Sequence, residues 1–205
     1  MNTADGILYG DVPYDTGLGG MGTLIYSTTG VTTGAVSSEL FQNNAASFAR
    51  VTGTTNVCDN NWHNLITTFD KAVGFIVYID GNVETVVTDG TSPNVNYTTA
   101  SNFNLGNGTN KSDTCIDANL ALFQVWAGTT LTSANATAIS AGGTNIASPT
   151  ASWPFSEGSG LVATDSVASK TLTFNDGTMF IWSTDIPTQL QGSAGGSRML
   201  KGVGS

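Results

Sequence analysis

The feature that most constrains this chain is a dipeptide, Asp80-Gly81, set between two apolar segments. Before it, Val73, Phe75, Val77 and Ile79 alternate with Gly74, Ile76 and Tyr78, which is the two-residue period of a strand. After it comes a second apolar segment over residues 83–87. Asp-Gly tolerates positive φ and so closes a tight turn whose twist matches that of the strands it joins. Residues 62–69 (WHNLITTF) mix aromatic, β-branched and small polar types with no helical period. Three consecutive antiparallel strands are therefore predicted within 58–87, and the rest of the chain reads as layers around them.

Composition agrees with many short strands. Charged residues make up only 10% and hydrophobic residues 40% of the 205, which is too apolar for a disordered chain and leaves room for Gly-rich turns. That length allows one large β domain or two small ones. The formal charge of −9 comes without any basic stripe, so no nucleic-acid partner is expected. No run of roughly 18 apolar residues exists, so no membrane insertion is expected. The first residues, MNTADGILYGD, lack the basic and apolar parts of a secretory signal. Retention in the cytoplasm, or exit by another route such as virion assembly, is the expectation.

Along the chain, residues 1–20 read as an irregular arm. Strands are expected at 23–27, 39–42, 46–52 and 103–105, with a polar loop at 89–97. Residues 116–126 form the longest apolar stretch, with Leu120, Leu122 and Trp126 on one face and Ala121, Phe123 and Val125 on the other. A strand apolar on both faces is covered on both. One short helix follows at 134–141, capped by Thr132 or Ser133 and ended by Gly142-Gly143. A new unit opens at 151–155 (ASWPF), with further strands at 170–174 and 180–182. The Gly/Ser-rich end, carrying Arg198 and Lys201, reads as a flexible tail or an arm that orders against a neighbour.

Order and spacing of several motifs carry a resemblance. Trp62-His63-Asn64-Leu65 precedes Tyr78-Ile79-Asp80-Gly81 by about sixteen residues, then come Leu105-Gly106, the stretch ending at Trp126, and Leu131-Thr132 leading into a helix. Together they resemble the laminin-G-like and pentraxin-like domains of the concanavalin A-like lectin/glucanase jelly rolls, over roughly residues 46–141. Trp153-Pro154-Phe155, Glu157-Gly158-Ser159-Gly160 and Asp165 are similar to a stretch that often opens such domains, but here it stands after the domain. The expected fold is an all-β antiparallel sandwich, a jelly roll with one short helix. Its expected parts are an arm (1–20), the laminin-G-like jelly roll (21–149), closing strands (150–187) that pair in cis or with a neighbouring subunit, and a flexible tail (188–205).

The chemistry is sparse. Glu39, Glu84 and Glu157 are isolated from one another, so the paired carboxylates of a glucanase are missing and no enzyme is expected. His63 reads as packed or hydrogen-bonded, with no Ser-His-Asp or Cys-His arrangement to make it catalytic. No cofactor is expected. The resemblance raises calcium at a rim, with Asp59, Asn60 and Asn61 on one loop and Asn107, Asn110, Asp113 and Asp117 on another as candidate oxygen ligands. Asn107-Gly108-Thr109 departs from the acidic residues that follow Leu-Gly in pentraxin-like domains, which removes charge from such a site. Trp62, Trp126 and Trp153 fall at the family's core positions, whereas Tyr97 and Trp182 are left as candidates for stacking on sugars. Cys58 and Cys115 are either buried free thiols or one inter-strand disulfide.

Two functions follow as expectations. The first is a non-enzymatic structural or adhesive protein of a virion surface, of capsid-decoration or head-fibre type. It would form a homo-oligomer, dock on a capsid or other virion protein, and bind host-surface glycans. The second is a carbohydrate-binding module of a secreted, extracellular protein.

Overall fold

The computed structural model describes residues 6–11, 20–25, 33–41, 48–89, 104–106, 118–142, 148–173, 180–183 and 199–202. Among the described residues the fold is all-β and antiparallel with one short helix, and the chain divides into two compact units, Met1–Ile116 and Asp117–Ser205. The boundary falls well before residue 150, so strands on both sides of that position belong to the second unit. Among the described residues no helix is long and apolar enough to cross a membrane.

The first unit is a sandwich of two sheets. Its strands are β1 (Gly6–Asp11), β2 (Gly20–Ile25), β3 (Val36–Phe41), β4 (Phe48–Gly53), β5 (Leu65–Asp70), β6 (Gly74–Ile79), β7 (Asn82–Val83), β8 (Val86–Asp89) and β9 (Asn104–Leu105). The larger sheet runs β8-β4-β3-β2-β1-β9 and the smaller β5-β6-β7. Val36, Leu40, Ala49 and Val51 of the larger sheet pack against Phe75, Val77 and Ile79 of the smaller. The expected alternation of β6 thus supplies half the core. Val73, by contrast, is exposed in the turn before it.

The Asp-Gly hairpin forms as expected. Asp80 and Gly81 take φ of 52° and 81°, and Ile79 pairs directly with Asn82. The third expected strand is two strands. β7 stays with β6, then the chain turns at Glu84 and Thr85, and β8 joins the edge of the larger sheet beside β4. A strand that changes sheets closes one corner of the sandwich.

Two expectations for this unit fail for one reason. Residues 6–11 are not an arm but β1, paired with both β2 and β9. The local pattern there is weak because the strand carries a bulge between Ile7 and Tyr9 and a glycine at φ 135°. A Cβ on Gly10 would lie 2.3 Å from the Met21 carbonyl oxygen, so the close approach of β2 demands glycine. Likewise β3 begins at Val36, earlier than its sequence pattern indicates, and buries Ser37, Ser38 and Glu39 completely. Small hydroxyls tolerate this because they bond one another. Ser38 Oγ lies 3.1 Å from Thr23 Oγ1 and 3.0 Å from Thr67 Oγ1, linking the two sheets, and Ser37 donates to the Val51 carbonyl at 3.2 Å. Burial pushes the Tyr9 phenol up, with Thr23 and Thr67 bonded to it in the same cluster.

The second unit is built of smaller sheets. β10 (Asn119–Leu120), β11 (Phe123–Val125), α1 (Ser133–Ser140), β12 (Ala151–Trp153), β13 (Val162–Thr164), β14 (Thr171–Thr173), β15 (Phe180–Ser183) and β16 (Met199–Gly202) follow in order. The single long strand expected at 116–126 is instead two short ones. Residues 121 and 122 break it, Leu122 is exposed, and Phe123, Val125 and Trp126 are only half-buried. Its two segments serve different sheets, β10 pairing with β16 and β11 with β12.

Strands within 150–187 find partners among the strands of the second unit. β12 lies on β11, where Phe123 and Trp153 stack at 5.7 Å, β13 pairs with β14, and β15 with β16. The expected flexible tail therefore contains a strand. Met199 and Leu200 supply an apolar pair inside Gly/Ser-rich sequence, and β16 forms the middle of β10-β16-β15. The helix agrees with its expected cap. Thr132 and Asn135 exchange reciprocal bonds, Asn135 N to Thr132 Oγ1 and Thr132 N to Asn135 Oδ1. Gly142, at φ 74°, follows the last turn and donates to the Ile139 carbonyl.

Candidate functional site

A second cluster of engaged polar side chains in the first unit lies where the loop between β4 and β5 meets the β6–β7 turn. The loop between β4 and β5 passes over the β6–β7 turn and the β7–β8 corner, and two carboxylates pin it there. Glu84 Oε1 accepts the backbone N–H of Thr54 at 2.7 Å and of Thr55 at 2.9 Å, while Oε2 accepts the Thr55 hydroxyl at 2.8 Å. Burial alone would raise the Glu84 carboxyl, but these donors outweigh it and hold the group below its ordinary value. Asp80, from the turn, accepts the Asn64 N–H at 2.9 Å, and its own N–H donates to the Asn64 carbonyl at 2.9 Å.

His63 lies between two aspartates. Its Nδ1 is 2.8 Å from Asp80 Oδ2 and its Nε2 is 2.9 Å from Asp59 Oδ1. Asp59 also accepts from Asn61, at the backbone N–H (2.9 Å) and the side-chain amide (2.8 Å). Donation from Asn61 and His63 drives the Asp59 carboxyl far below the usual carboxylate range. Burial would lower the imidazole, yet the hydrogen bonds and charges of Asp59 and Asp80 raise it above its ordinary 6.5. Both ring nitrogens thus face carboxylate oxygens.

Between the loop and the hairpin lies a groove of about 360 Å³, lined by Thr54, Thr55, Asp80, Asn82, Val83 and Thr85 among others. Its walls are held by the bonds just described. Val83 is well exposed there, so the groove offers hydroxyls, an amide and one apolar surface.

Of the site residues expected from sequence, Asp59, Asn60, Cys58 and Trp182 fall among the described residues. Asp59 and Asn60 share the rim loop, where Asp59 accepts from Asn61 and lies 2.9 Å from His63 Nε2. Asn60 takes φ 68° in the turn. Among the described residues no group of three or more His, Cys, Asp or Glu side chains is placed to hold a metal ion. Asn107, Asp113 and Asp117 lie outside the described residues, as do Tyr97 and Cys115. Cys58 is exposed in the loop before β5, a free thiol rather than the buried one expected, and Cys115 lies outside the described residues. Burial of its flank and then the Asp59 charge push its pKa up. Trp182 is half-buried in the second unit, and its indole N–H donates to the Gly160 carbonyl at 3.1 Å.

In the second unit Asp165 is buried and accepts the N–H groups of Ser152 (2.7 Å), Val167 (2.8 Å) and Ala168 (2.9 Å). Burial raises this carboxyl, but the backbone donors outweigh it and hold it low. Glu157 accepts the Thr164 N–H at 2.7 Å. Sequence reasoning missed the rim's organisation around Glu84 and Asp80, since their partners lie far along the chain. Only the positive-φ hairpin signal at Asp80 marked the place. No family model matches the chain, and comparison with the curated proteins and with the solved structures found no match.

Proposed function

We propose that this chain is a non-enzymatic structural and adhesive protein of a virion surface, of capsid-decoration or head-fibre type, with a lectin-like jelly roll that takes host-surface glycans at its rim groove. The observation that carries the reading is the commitment of the rim's ionisable groups. Asp59, His63, Asp80 and Glu84 hold backbone and one another, which makes a stiff, preorganised wall and leaves no free acid–base pair. Threonine hydroxyls, the Asn82 amide and the exposed Val83 suit a neutral sugar, which offers hydroxyls on its edges and an apolar face. The low lysine content and the charge of −9 favour a partner that is itself neutral or basic, as a docking site on a capsid would be.

Light scattering of the full chain, with and without calcium, followed by a glycan array, tests this. A stable homo-oligomer indifferent to calcium that binds neutral glycans is the expected result, with Asn82→Ala weakening binding about ten-fold. A monomer stabilised by calcium would replace this reading with that of a carbohydrate-binding module of a secreted protein. Turnover of a glycan would overturn both.

A further inference from the structure

We propose that residues 59–63 form a proton-held latch, in which doubly protonated His63 ties the rim loop to the β6–β7 turn and releases it on losing one proton. An ionised carboxylate only accepts hydrogen bonds, whereas a neutral imidazole carries one N–H and one lone pair. Both ring nitrogens face carboxylate oxygens, at 2.8 Å and 2.9 Å, so only the imidazolium satisfies both. The neutral ring must surrender one of them. Asp59 and Asp80, the charged groups that face His63 among the described residues, then lose the cation between them and repel.

The release is confined by neighbouring anchors. On one side Glu84 holds Thr54 and Thr55, and the Val57 N–H donates to the Gly34 carbonyl at 3.0 Å. On the other, Asn64 is held to Asp80 through both of its backbone groups. None of these bonds involves the imidazole. What can open is the stretch between Val57 and Asn64, and its opening alters the Asp80 wall of the groove.

The direction of the pH dependence follows from the shifts. His63 is raised above 6.5, so its contribution is complete below that value and is lost as pH rises through the raised pKa. Asp59 is lowered from 3.8, so its contribution is complete above that value and is lost only in strong acid. The latch is closed across the window between and opens on the alkaline side.

The chain has a single histidine, which makes the test clean. Histidine-labelled full chain, titrated by NMR, should show His63 doubly protonated at pH 6.5. Amides 59–63 should exchange about ten-fold faster than the base-catalysed trend once His63 titrates, with Thr54 and Thr55 following the trend. His63→Gln should show the fast exchange at every pH, and Asp59→Asn should lower the His63 pKa. A His63 pKa at or below 6.5, or amides 59–63 indifferent to the titration, would overturn the latch. Neither readout depends on whether the groove binds a glycan.

Discussion

At the scale of single residues, the rim is organised by what a missing side chain permits. Gly53 is buried at the end of β4, and a Cβ there would lie 2.9 Å from Glu84 Cγ and 3.0 Å from its carboxylate oxygen. Glycine leaves the space the carboxylate uses to reach Thr54 and Thr55. Gly53→Ala should displace Glu84, cost about 1–2 kcal/mol in urea unfolding, and return the Glu84 carboxyl toward its ordinary 4.5 in an NMR titration. An unmoved titration would mean that the side chain shifts without losing its donors. None of this was legible beforehand. Glu84 could be read as isolated from other carboxylates, which is true, but its donors lie about thirty residues earlier, in a loop that carries no pattern. His63 was legible as a hydrogen-bonded residue, yet the pair of aspartates around it was not.

At the scale of elements, local chemistry was readable and tertiary pairing was not. The β6–β7 hairpin and α1 announce themselves through turn and cap residues that act within a few positions. β1 and β16 do not, because each is a short, glycine-flanked segment whose backbone groups are satisfied only by distant strands. The apolar run at 116–126 misled for the converse reason: its hydrophobicity is real, but it is divided between two sheets. The cap gives a direct test of the local signal. α1 has eight residues, too few to persist on propensity, so its first turn depends on the Thr132–Asn135 exchange. Thr132→Ala should lower stability by about 1 kcal/mol, and Asn135→Ala should do so by a similar amount because it removes the reciprocal bond. Combining them should add little to either single change, since each alone breaks the box; a denaturant double-mutant cycle measures this.

At the scale of the whole molecule, the division at Ile116/Asp117 means that the two units need not share one stability. The first has a two-sheet core in which apolar residues and a hydroxyl cluster both cross between sheets. The second consists of two- and three-stranded pieces, and ribbons of that size are marginal unless each strand keeps its partners. β16 is the middle strand of its sheet, so removing residues 199–205 takes a described partner from β10 and from β15 at once. Hydrogen exchange of that truncated chain should show Phe180–Ser183 and Asn119–Leu120 losing protection, while β3, β4 and β6 keep theirs. Equal loss in both units would mean that they unfold as one body. No loss in either would mean that β16 adds nothing to the sheet it occupies. The distinction bears on the proposed assembly as well: if the full chain forms a homo-oligomer, a tail deletion that unfolds the second unit would abolish it without the tail ever touching a neighbour.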